Sequence, residues 1–84
     1  MQHWIKAVVS CLPATCRELN TNPVMVQMNR QHRKEREEKG HFINKPVNGM
    51  VYDTLMYLRN KGLVVRRTSD GVYMLTEEGK EKLG

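Results

Sequence analysis

The chain has 84 residues, which is room for one hydrophobic core and excludes a second domain. Its apolar fraction of 39% and charged fraction of 27% are those of a globular protein, and no stretch reaches the roughly 18 apolar residues of a membrane span. The net charge of +5 suits a domain that meets a polyanion, usually nucleic acid.

The charge is uneven. Residues 1–34 carry +4, whereas residues 63–84 balance to zero. The apolar run from Ala7 to Pro13 is too short, and Lys6 too weak a basic flank, for a signal peptide. Cys11 and Cys16 are the only cysteines, and their spacing makes neither a disulfide scaffold nor a strong zinc motif. Two reduced, partly buried thiols are expected, with no metal and no cofactor.

In chain order, Trp4, Ile5, Val8, Val9 and Leu12 repeat at helical spacing and predict a helix over 3–11. Pro13 ends it. Thr15 and Glu18 form a capping-box pattern that starts a short second helix, with Leu12, Cys16 and Leu19 along its apolar seam. Asn20, Thr21 and Asn22 make a turn, and Asn22-Pro23 restarts a helix running to Lys39, with Gly40 as its stop. Val24, Met25 and Met28 are expected to bury. After Met28 the helix is polar, and its charges nearly cancel. His41, Phe42 and Ile43 suit a short strand or docking segment, and Asn44, Lys45 and Pro46 a loop.

Val47, Met50, Val51, Thr54, Leu55 and Leu58 then mark an amphipathic helix over 47–61. Gly62 is placed as a left-handed cap, with Leu63 folding back. Tyr52 and Tyr57 lie on different sides of this helix, so at least one is expected to pack. Val64–Arg67 and Val72–Leu75 predict a hairpin, with Asp70-Gly71 as a tight turn taking positive φ at both positions. Thr76 caps a short last helix.

This order is α+β and mostly helical. The strings TCREL (15–19), VYDTLMYLRNKGLV (51–64) and GVYMLTEEG (71–79) together resemble winged helix-turn-helix regulators of the MarR and PadR type. In those families a similar string reads as second helix, recognition helix ending in Gly-Leu-Val, wing, then Leu-Thr-x-x-Gly. The departure is an extra helix inserted between Leu19 and Val47. The string ELNTNPVMVQMNRQHRKEREEKGHF (18–42) is itself similar to the turn and recognition helix of IscR-like repressors. Residues 46–61 are favoured here as the recognition helix, because the two-stranded wing follows them directly.

The resemblance implies a small sequence-specific protein for double-stranded DNA, a transcription regulator in the cytoplasm at the nucleoid. On the favoured helix and its approach, Lys45, Asn48, Tyr52 and Arg59 are the candidate contacts, although Asp53 opposes that role. Arg66 and Arg67 are the candidates on the wing. On the inserted helix Gln27, Arg30, Arg33 and Lys34 are side chains that hydrogen-bond bases and phosphates. A homodimer would add a second half-site, with Trp4, Ile5 and the terminal helices as candidate interface. The alternatives are a winged-helix protein-interaction module or an RNA-binding domain. No carboxylate pair, phosphate loop or nucleophile–base spacing points to an enzyme or to a small-molecule substrate.

Overall fold

Capping and breaking residues divide the chain close to where its sequence predicts. The computed structural model describes residues 2–40 and 49–84. The expected segment His41–Ile43, the loop Asn44–Pro46 and the start of the 47–61 helix lie outside the described residues.

Helix α1 (Gln2–Ser10) buries Trp4 and Val8. Strand β1 (Ala14–Thr15) follows. Thr15 then caps α2 (Cys16–Thr21): its Oγ1 accepts from the Glu18 N–H at 3.1 Å, and its own N–H donates to the Glu18 carboxylate at 3.0 Å. That reciprocal box satisfies two donors the helix start would otherwise leave open. One residue, Asn22, joins α2 to α3 (Pro23–Glu38). The Asn22 N–H donates to the Leu19 carbonyl at 3.2 Å, and its Oδ1 accepts from the Val24 N–H at 2.9 Å. Pro23 sits in the first turn, where its missing donor costs nothing.

Helix α4 (Gly49–Asn60) buries Val51, Thr54, Leu55 and Leu58, the stripe its sequence spacing predicts. The Thr54 hydroxyl donates to the Met50 carbonyl at 2.7 Å, so it enters the core satisfied. The helix ends in a Schellman cap. Gly62 has φ +74°, its N–H donates to the Arg59 carbonyl, and the Leu63 N–H donates to Leu58.

Strands β2 (Val64–Arg66) and β3 (Val72–Leu75) make the hairpin, and α5 (Glu77–Leu83) closes the chain. The predicted pair of strands gains a third: β1 pairs with β3, giving an antiparallel sheet in the order β1-β3-β2. A strand of two residues has no period from which a sequence can reveal it.

The hairpin turn also differs from expectation. Asp70 does not take positive φ; Gly71 alone does, at +73°. Residues 68–71 form a longer loop, in which the Gly71 N–H and the Arg67 N–H close onto Arg67 and Val72 carbonyls at 2.8 Å each. Asp70 is held instead by Arg67, as described below.

The core joins all of these elements. Trp4, Val8, Leu19, Met25, Val51, Leu55, Leu58, Val64 and Tyr73 meet in one buried cluster. Trp4 belongs to it, at 1% exposure, and meets the His32 ring edge-on at 6.2 Å between centroids. It is therefore core packing within one chain, not an open dimer surface. Both α4 tyrosines are exposed, Tyr52 at 53% and Tyr57 at 41%. The four buried residues of α4 already fill its inner face, and Tyr57 lies beneath the Lys61 ammonium at 5.7 Å.

Candidate nucleic-acid interface

Helix α3 is the longest element, and most of its positions are exposed. Met25 and Asn29 are its buried residues, and from Arg33 onward every position is exposed. Its inner face is fixed at one end by the Asn22 cap and along its length by Met25, Asn29 and His32. The outer face is thereby set. Gln27, Arg30 and Lys34 fall within about 60° of one another at 100° per residue, and all are exposed. Arg33 lies nearer the flank and pairs with Glu37 at 3.4 Å. Among the described residues, Arg30 and Lys34 form no ion pair.

Charge is segregated along this helix. Pro23–Lys34 carries three cations and no carboxylate, whereas the acids begin at Glu35 and continue with Glu37 and Glu38. The acid-free stretch is the one that follows α2, and its cations begin at Arg30, about two turns from the joint. The turn that anchors it is itself held from two sides: the Asn20 amide donates to Cys16 Sγ at 3.5 Å, and the Asn22 amide to Cys11 Sγ at 3.7 Å. Both thiols are free and half-buried, as expected. Their use as acceptors for the turn was not visible in the sequence.

One α3 residue departs from its predicted place. Val24 was expected to bury with Met25 and Met28, but it is 56% exposed, whereas Met25 is fully buried and Met28 half-buried. The reason is angular. Met25 faces the core, and Val24, one residue earlier, is turned about 100° from it.

The hairpin arm presents two arginines in different states. The Arg67 guanidinium grips Asp70 with bonds of 2.6, 3.0 and 3.2 Å. The hydrogen bonds from Arg67, then the Val72 N–H, hold the Asp70 carboxyl below its ordinary value near 3.8, and the same pair raises Arg67. Arg66 is exposed, and its guanidinium lies over Gly71, where an added Cβ would meet Nη2 at 3.3 Å. Arg66 forms no ion pair among the described residues.

On α4, Tyr52 and Arg59 lie on the exposed side, and the Arg59 Nη1 donates to Met56 Sδ at 3.9 Å. This helix packs against α1, α2 and β2, and its outer side carries Tyr52, Tyr57, Arg59 and Asn60, with Asp53 half-buried beside them. Lys45 and Asn48 lie outside the described residues. The structure thus gathers Gln27, Arg30 and Lys34 onto one face of α3, assigns Arg33 and Arg67 partners, and leaves Tyr52 and Arg59 on a separate helix.

An open groove of about 470 Å³ runs between the α1–β1 corner, the sheet and α5. Its charged residues are already engaged: Glu18 in the capping box, Arg67 with Asp70, and Lys80 with Glu77 at 3.6 Å. It lacks the convergent free polar groups that orient a small ligand. Among the described residues no three His, Cys, Asp or Glu side chains gather as metal ligands, and no helix is long and apolar enough to cross a membrane.

Comparison with family models, with curated proteins and with solved structures finds no match to this chain.

Proposed function

We propose that this chain is a small winged helix-turn-helix protein that binds double-stranded DNA in a sequence-specific way, as a transcription regulator at the nucleoid. The observation that carries the reading is the acid-free stretch Pro23–Lys34 of α3, with Arg30, Arg33 and Lys34 exposed on it, following α2 across a single asparagine. A helix about 10–12 Å wide fits the major groove. A helix held by its N-terminal turn presents its first turns to base edges. Helix α3 therefore replaces residues 46–61 as the recognition helix in this reading. Helix α4 acts as the scaffold that buries the core and launches the wing.

Arg66 is the wing residue that reaches phosphate or minor groove, and Arg30 and Lys34 contact phosphate beside the major groove. A homodimer would carry two such faces to half-sites one helical turn apart, about 34–36 Å.

The exposed pair Tyr52 and Tyr57 favours a second reading, a winged-helix module whose α4 face binds another protein. Fluorescence anisotropy with a random-sequence duplex separates the two. Arg30→Glu with Lys34→Glu, and separately Arg66→Glu, are each expected to weaken binding at least tenfold. Tyr52→Ala is expected to leave it within twofold. Unchanged binding in both charge-reversal variants, with their circular dichroism intact, would reject the proposed surface.

A further inference from the structure

Two side chains on the first turns of α3 have no role in holding the fold. Val24 is 56% exposed in the first turn, and the Gln27 side chain is exposed one turn later. Among the described residues the Gln27 amide makes no hydrogen bond. Gln31, by contrast, is occupied: its Nε2 donates to the Glu35 carboxylate at 3.0 Å. Val24 and Gln27 are three apart, so their Cβ atoms are neighbours about 5–6 Å apart on one helix face. Adjacent base pairs stack about 3.4 Å apart. The two side chains therefore address neighbouring or next-neighbouring base pairs.

We propose that Val24 and Gln27 set the sequence preference of this protein, and that the preference is for an A·T step in the major groove. The proposal rests on the DNA-binding reading given above. The chemistry is selective. A valine side chain has no donor or acceptor, and the apolar group a major groove offers it is the C5-methyl of thymine. A glutamine amide matches adenine bidentately, accepting from N6 and donating to N7. The cations flank this pair: Arg30 lies about 60° further round the helix from Gln27 and Lys34 about two turns further along it, where they neutralise backbone phosphate. No carboxylate intrudes before Glu35.

The test is selection from a randomised duplex library with the intact chain, followed by thymine-to-deoxyuracil replacement in the selected site. Deoxyuracil keeps base pairing and removes only the methyl group. The expected result is an enriched A·T step, with deoxyuracil weakening wild-type binding about fivefold. Val24→Ala should bind the two duplexes equally, and Gln27→Ala should lose discrimination at the adjacent position by tenfold or more. Both substitutions are at exposed positions, and circular dichroism verifies the fold. Selection of G·C at these positions overturns the inference, as does indifference of the wild type to deoxyuracil, or retained discrimination in Val24→Ala. Salt-dependent duplex binding with no selected sequence also overturns it, together with the sequence specificity of the reading above, while leaving duplex binding itself standing. Absence of duplex binding at low salt overturns both.

Discussion

Gly79 and Thr76 explain a string that is easily read as a functional signature. The Thr76 hydroxyl donates to the Gly62 carbonyl at 2.7 Å and accepts from the Gly79 N–H at 3.0 Å. The Thr76 N–H donates to the Leu63 carbonyl at 3.1 Å. The first turn of α5 is thereby seated on the end of α4. A Cβ at Gly79 would overlap the Leu63 carbonyl oxygen and crowd Leu75 Cδ2 at 3.1 Å. The Leu-Thr-x-x-Gly tail thus has a packing role in this chain. Gly79→Ala should cost about 3 kcal/mol, the upper end of overpacking costs, measured by urea denaturation. A cost below about 0.5 kcal/mol would mean that the contact relaxes freely. The Arg67–Asp70 pair makes a second prediction at this scale. Because the Asp70 carboxyl is held low, its support of the turn is complete above its ordinary value near 3.8 and is lost as pH falls through the lower, folded value. Carboxyl NMR should give a midpoint below 3.8, moving upward in Arg67→Gln. A midpoint that Arg67→Gln does not move contradicts the pairing.

Among the elements, the α2–α3 joint decides where α3 points. Asn22 supplies its backbone N–H to α2, its side-chain oxygen to α3 and its amide to Cys11. Asn22→Ala should cost about 1–2 kcal/mol in thermal or urea unfolding, as loss of an N-cap does. Under the DNA-binding reading it should also weaken duplex binding, because α3 loses its fixed start. A variant of unchanged stability would show that the cap is dispensable. Much of this level was legible in the sequence. The Thr15–Glu18 box, the Asn22-Pro23 restart, the α4 stripe, the Gly62 cap and the Thr76 cap each depend on residue types at fixed local spacing. What was not legible depends on distant partners. Strand β1 exists because Ala14 and Thr15 reach β3, across the pairs Ala14–Tyr73 and Thr15–Val72. The four-residue turn replaces a tight Asp-Gly turn because Arg67 and Asp70 clasp across it. Val24 was misread as core because apolar identity alone does not say which side of a helix faces inward. How much of each helix the core would cover was open for the same reason, whichever of 46–61 and 23–39 is taken as the recognition helix. Both have helical grammar, and only the tertiary packing separates the four core residues of α4 from the two buried residues of α3.

At the scale of the whole molecule, one core of Trp4, Leu19, Met25, Leu55 and Leu58 with its neighbours takes in the start of α3 and leaves that helix exposed from Arg33 to its end. Trp4 is central to that core, so Trp4→Ala should destabilise the chain by about 3–5 kcal/mol, and the unfolding midpoint of the wild type should not depend on protein concentration. Concentration-dependent unfolding that Trp4→Ala abolishes would instead assign the tryptophan to an interface. The central claim concerns the net charge of +5 and the three cations of the acid-free stretch Pro23–Lys34 of α3. The most direct test is anisotropy of the intact chain with a random-sequence duplex across a salt series. If Arg30, Lys34 and Arg66 each neutralise a phosphate, log affinity should fall against log salt with a slope of about −3 or steeper. Arg66→Gln should reduce that slope by about one. A folded chain that binds no duplex at low salt, or binds with a slope near zero, would contradict the account.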